Sequence, residues 1–327
     1  FPTRRSSDLL CGLMSITPFM VQAKPHWSQT SARLMNACPR AWAITYAPHS
    51  AGRKTGRSHA SSSARTFDEV LLRTMRTTWL NRMHDQYQRK VWTKPYALRM
   101  MRKTAEDALD HTNMSVPSLH FEMGVQKAVH QVMNLERTAV LRPLFTGQPR
   151  RWAYFDRRQS TLVDDIELFA APDVAIFHQH QWTLVRLQFR SSPHASLGQQ
   201  LEHLLMVHWA MNQPGFPDHA EAYRVRIVRW HGQRWHEHTV RINADLLEQA
   251  LSLVKHDVQE MTWLQRWSSA DPSYNSLPLA THHDRCHPCN FREGCPAKHG
   301  LKAAKDAQER FILERTHNEA TKSANTA

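Results

Sequence analysis

RCHPCNFREGCP, residues 285–296, sets three cysteines at C-x2-C-x5-C and closes on a proline. Thiolates spaced this way are metal ligands, and a tetrahedral zinc site or an iron–sulfur cluster takes four of them. One ligand must therefore come from elsewhere. The chain has five cysteines: Cys11, Cys38, Cys286, Cys289 and Cys295. Sparse and odd in number, they fit a reducing compartment and a metal site better than a disulfide framework. Cys11 stands in a doubtful N-terminal stretch. Cys38, in MNACPRAWAITY (35–46), is the better fourth ligand. A metal bonded to all four would offset the entropy of closing so long a loop. His282, His283 and His287 crowd the trio, so mixed Cys/His zinc ligation stays open on chemistry alone.

Working outward, the bulk numbers narrow the class. The 327 residues carry 42 Lys+Arg against 29 Asp+Glu, a formal charge of +13 with 22 histidines uncounted. So basic a balance suits a polyanion, because each cation set on a phosphate releases counterions. No apolar run reaches the roughly 18 residues of a membrane span. A cytoplasmic protein with no membrane partner is expected, and secretion is not. The opening FPTRRSSDL resembles translated adapter sequence and is left out of the fold argument, so residues 1–27 are read as a tail.

Periodicity gives the elements. A helix is expected over 28–47, capped by Ser28 or Thr30, then a Ser/Gly/basic loop over 48–66. Helices follow over 67–91 and most of 96–142, broken near Ser115–Pro117; the stretch at about 67–150 reads as a helical insertion. Strands are expected over 161–169, 172–178 and 182–190, a helix over 197–211, and alternating strands over 223–230 and 235–242 about a Gly232 turn. Asn243 caps a long helix. Residues 297–327 read as a charged tail, helical after about Lys298 and fading into a fraying Ser/Thr/Asn end. The fold class is α/β, a central mixed sheet flanked by helices.

Here the residues carry a resemblance. CPRAW near the start, paired with C-x2-C-x5-C-P near the end, resembles the iron–sulfur group of the PD-(D/E)xK nuclease superfamily. That group includes RecB-like and AddB-like nuclease domains and CRISPR-associated adaptation nucleases. The likeness runs with gaps over 28–296. It implies a restriction-endonuclease-like core, with Cys38, Cys286, Cys289 and Cys295 holding a 4Fe-4S iron–sulfur cluster in place of Zn2+. It also implies a nuclease site in which carboxylates hold Mg2+ or Mn2+ to activate a water.

That site is only partly kept. TWLNRMHDQY (78–87) resembles the family's helix segment and puts His84 at the histidine position; His130 is the rival. LFAAPDVAIF (168–177) resembles the family's aspartate strand and puts Asp173 at the metal. The family's Glu/Asp-x-Lys reads Gln188-x-Arg190. Strand alternation sets Arg186, Gln188 and Arg190 on one face, opposite Val185, Leu187 and Phe189. A carboxamide is a neutral ligand and an arginine is no base. GQQLEHLL supplies Gln200 at the helix glutamine, with Leu204 where the family has tyrosine; one register over, Gln199 pairs with His203. Asp164, Asp165 and Glu167 are candidate replacement carboxylates.

The resemblance thus implies a DNA-binding protein, on single strands or ends, with cleavage reduced or lost. Arg186 and Arg190 would line its basic cleft, extended by Arg224, Arg226, Trp230 and Trp235, with a helicase or other repair subunit as a further partner. An active exonuclease using a displaced carboxylate is one alternative. A zinc-stapled interaction protein that touches no nucleic acid is another.

Overall fold

Ser28 ends one element and starts the next. In the computed structural model, which describes residues 26–47, 66–112, 114–149, 151–190, 195–271, 273–287 and 289–325, β1 is His26–Ser28, and the Ser28 hydroxyl accepts from the Ser31 N–H to cap α1, Gln29–Ala37. The single helix expected over 28–47 is two. Cys38 takes extended backbone (φ −164°, ψ 104°), and α2 runs Pro39–Tyr46. The cause is Pro39, whose ring disfavours helical backbone in the residue before it. The readings made for residues 1–25, Cys11 included, and for the loop over 48–65 fall outside the described residues.

Three helices follow: α3 (Phe67–Tyr87), capped by Thr66, α4 (Lys94–Thr112) and α5 (Ser118–Leu135). A short α6 (Arg142–Phe145) leads to β2 (Arg151–Tyr154). The strand expected over 161–169 is a hairpin, β3 (Thr161–Val163) and β4 (Ile166–Phe169). Asp164 and Asp165 turn it with φ of 46° and 64°. Aspartate tolerates the left-handed region better than most side chains, so a run that reads as continuous bends there. β5 (Val174–His178) and β6 (Gln181–Gln188) form a second hairpin, α7 (Leu197–Met211) crosses over, and β7 (Tyr223–His231) and β8 (Arg234–Val240) form a third. α8 is Ala244–Ala270, capped by Asn243, and α9 is Leu301–Asn325.

Two sheets result. One has the order β1-β4-β3; the other, five-stranded and mixed, has the order β2-β5-β6-β7-β8. Within it only β6 and β7 run parallel, since α7 carries the chain back between them. Leu184, Val225 and Ile227 face α1, α2, α7 and α8 in one core. Val174, Ile176, Val185, Leu187 and Val228 face α3, α4 and α5 in another. The helices at 67–150 are therefore the cover of one sheet face, and removing them would expose a buried apolar surface. Nor does packing stop at residue 296: Ala297, Leu301 and Ala304 form a third small core with Leu279, against which Cys286 and Cys295 pack. No helix among the described residues is long and apolar enough to cross a membrane.

The β5–β6 turn gives one prediction. Gln179 and His180 both hold positive φ, 51° and 63°, the geometry of a two-residue turn that favours Asn-Gly. Gln179→Asn with His180→Gly should stabilise by about 1 kcal/mol, read as a raised midpoint in urea.

Candidate functional site

The N-terminal Cys-Pro-Arg and the C-terminal cysteine segment are stitched together by Arg40. This side chain is buried, 6% exposed. Its Nε donates to the Tyr274 carbonyl at 3.0 Å and its Nη2 to the Gly294 carbonyl at 3.2 Å, while its backbone N–H donates to Pro278 at 3.1 Å. Gly294 precedes Cys295, so the guanidinium fixes the loop that carries the last cysteine. Cys38, held at the N-terminus of α2, lies within electrostatic reach of all three other thiols. Burial pushes its thiol above the ordinary value, the Ala41 N–H pulls it back, and Cys289, Cys295 and Cys286 push it up again. Burial, then Cys295 and Cys289, raise Cys286 likewise. Half-buried thiols such as Cys38 and Cys286, raised in part by their neighbours, belong to a donor set that a cation would relieve. None of the four is in a disulfide. Among the described residues, no group of three or more His, Cys, Asp or Glu side chains is arranged to hold a metal ion as they stand. His283 and His287 pack edge to face, 4.6 Å between ring centres. Arg40→Ala removes a charged donor from two partly solvated carbonyls, a loss of about 1.5 kcal/mol that urea denaturation would read.

The second constellation surrounds Asp173. Its N–H donates to the Val185 carbonyl at 2.9 Å, which sets it beside β6 just before β5 begins. Both carboxylate oxygens are taken by Arg157, Nε and Nη2 each at 2.8 Å. The Leu187 N–H donates to the same group at 2.7 Å, and Arg157 also donates to the Leu187 carbonyl. Arg186 stands 3.7 Å from Asp173 and 3.2 Å from Glu202 of α7. Arg76, on α3 at the solvent edge, feels the charges of Arg157, Arg186, Asp173 and Glu202. Burial alone would raise the Asp173 carboxyl, but Arg157 and Arg186 outweigh it and hold it below the usual carboxylate range. Three guanidiniums thus meet two carboxylates.

The other expected residues sit as follows. Gln188 is buried and donates from Nε2 to His203 Nε2 at 3.2 Å. His203 must then carry its proton on Nδ1. Burial, then the charges of Arg186 and Arg229, hold it neutral with a pKa lowered to about 3. Gln199 closes the capping box of α7 with Ser196, while Gln200 donates to the Ala195 carbonyl at 3.1 Å. His84 contacts the Tyr154 hydroxyl at 3.0 Å and Gln88 at 2.8 Å. It stands about 12 Å along α3 from Arg76, the α3 cation that feels the Asp173 charge. His130 pairs with Asn134 on its own helix.

Several expectations are corrected. Arg186 is 1% exposed, so it is an internal cation and touches no phosphate. Arg190 does not share its face: β6 ends at Gln188, and Arg190 turns toward α3, 3.9 Å from Asp68 and 69% exposed. Arg226 is bonded to Glu237 at 2.8 Å and Thr239 at 2.6 Å, whereas Arg224 is exposed beside it in a cleft of about 510 Å³. Trp235 donates to the Gln131 carbonyl and packs on Phe189 and Trp230, which makes it a hairpin anchor. The replacement carboxylates belong to the other sheet's hairpin: Asp164 pairs with Lys255 at 2.8 Å, Asp165 forms the turn, and Glu167 accepts from Ser160. The carboxylate brought to Asp173's group is Glu202, which sequence reasoning missed along with Arg157 and Arg76. Glu202 was within view, between Gln200 and His203 in the helix motif. Arg157 lies in a loop, where no periodicity marks it.

No protein-family model matches this chain, and no curated protein matches it significantly.

Proposed function

We propose that the chain is a DNA-binding protein on a PD-(D/E)xK nuclease-like core, stapled by a 4Fe-4S cluster on Cys38, Cys286, Cys289 and Cys295, in which metal-dependent cleavage has been lost. The observation that carries the loss is the Arg157 fork on Asp173. A divalent ion needs the same oxygens, and it would meet Arg157, Arg186 and Arg76 around only two carboxylates. At an effective dielectric near 20, each like charge at about 4 Å costs roughly 4 kcal/mol. The antiparallel β5–β6 hairpin followed by α7 and a parallel β7 supports the core assignment. Support for the cluster comes from the Arg40 stitch and from the placing of Cys38 within electrostatic reach of Cys286, Cys289 and Cys295. When bound, that cluster supplies cross-linking; the residues around it suggest no redox role.

Three measurements test this reading. Protein purified without oxygen should be brown and absorb broadly near 400 nm; a colourless protein with stoichiometric zinc overturns the cluster. Labelled single-stranded DNA should shift in a salt-sensitive way, and no binding at low salt overturns the DNA reading. With Mg2+ or Mn2+, single strands should stay intact; cleavage that Asp173→Ala abolishes overturns the loss of catalysis. Gln188→Glu with Arg190→Lys rewrites the missing motif yet should leave the protein inactive, because Arg157 and Arg186 still hold Asp173.

A further inference from the structure

The β7–β8 ribbon runs out past the cover of α7, and its side chains change character as it goes. On the face turned to α7 and α8, cross-strand neighbours read Val225 with Val240, Ile227 with His238, Arg229 with His236, then His231 with Arg234. The innermost pair is apolar and joins the core, the second sets core Ile227 against His238, and the outer two are cationic or imidazole. Register forces this alignment, since every second residue of each strand shares the face. Where the helices withdraw, a cleft of about 650 Å³ opens. Arg229, His231, His236, His238 and Arg241 line it, with Gln200 on the opposite wall, and no carboxylate is among its lining residues. Arg241 and His238 are exposed and Arg229 is half-buried. His236 Nε2 faces the His231 carbonyl at 3.2 Å and Arg234 Nε at 3.3 Å, so that ring is already oriented.

We infer that this cleft is a phosphate-binding site, filled by the backbone of a nucleic-acid strand. Arginine forks and imidazole N–H groups recognise phosphate oxygens, and a wall without carboxylates favours an anion. The cleft lies on the sheet face opposite Arg224 and Arg226 and does not include Asp173. Its chemistry is independent of the nuclease-like reading; only the source of the phosphate rests on it.

The test compares wild type, Arg229→Ala/Arg241→Ala, the conservative Arg229→Lys/Arg241→Lys, and Lys103→Ala, an exposed cation on α4, against a labelled single-stranded oligonucleotide, a 5′-mononucleotide and inorganic phosphate. Urea denaturation confirms that each variant is folded. The alanine pair should weaken oligonucleotide binding on the order of tenfold and flatten its salt dependence by about 0.7 per lost contact. The lysine pair should restore much of that, and Lys103→Ala should change nothing. Oligonucleotide binding that the alanine pair leaves intact overturns the site while the DNA-binding reading stands. Failure to bind the oligonucleotide, with phosphate or mononucleotide binding lost in the alanine pair, sustains the site and overturns the DNA source. No binding of any of the three overturns both.

Discussion

Asp173→Ala should unfold this protein more readily, by about 3–5 kcal/mol, and should change no catalytic rate. The carboxylate is the anchor of an internal charge cluster. Without it Arg157 loses a two-pronged partner and Arg186, fully buried, keeps only Glu202. Arg186 is compensated by its ion pairs with these two carboxylates, 3.7 Å from Asp173 and 3.2 Å from Glu202. An uncompensated buried cation costs more than the pair was worth. The pH dependence follows from the same contacts. Asp173 is held below the ordinary carboxylate range in the folded state. Its stabilisation is therefore complete above the unfolded value of about 3.9 and is lost as pH falls through the lower folded value. Urea midpoints measured from pH 5 down to pH 2 should fall more steeply in wild type than in Asp173→Ala. Parallel curves, or an alanine variant as stable as wild type, would show that the cluster carries no such load.

The second large effect belongs to Cys38. Under the proposed ligation, Cys38→Ala removes the sole ligand outside the C-terminal segment, and the staple becomes a local knot. Structural metal sites carry on the order of 10 kcal/mol of folding free energy, so a loss of 5 kcal/mol or more is expected, together with the absorbance near 400 nm. Arg40→Ala should loosen the same junction yet keep the colour, because it touches no sulfur. A Cys38→Ala protein that retains both colour and midpoint would remove Cys38 from the ligand set.

How much of this was legible in the sequence depends on which force sets each feature. Period-2 and period-3.6 patterns come from burial, so β5 to β8, α7 and α8 could be read before any coordinates. Local backbone chemistry is subtler. Pro39 announced the break at Cys38, and Asp164-Asp165 announced the β3–β4 turn, but helical spacing continues across the first and strand-forming residues flank the second. Asp173 was found by its strand, whereas Arg157, which decides what Asp173 can do, comes from a loop whose position is a tertiary fact. Arg186 was assigned to the right strand and face but not to the interior, because α7 covers that face and no local pattern reports the depth of a lid. Glu202 was overlooked for a related reason: only the packing of α7 on β6 distinguishes it from any other helix glutamate.

One feature of the N-terminal segment governs how the molecule comes into being. β1 pairs with Glu167–Phe169, Trp27 donates to Asp257, and Arg40 reaches Tyr274 and Gly294. Asp257, Tyr274 and Gly294 follow their partners by 230 to 254 residues. At roughly 5–20 residues per second, the first two helices leave the ribosome about 10–50 s before the residues that receive them. During that interval Trp27 and Trp42, both 0% exposed in the finished fold, are solvent-facing on a nascent chain. The N-terminal segment therefore completes its packing only after Asp257, Tyr274 and Gly294 have been made.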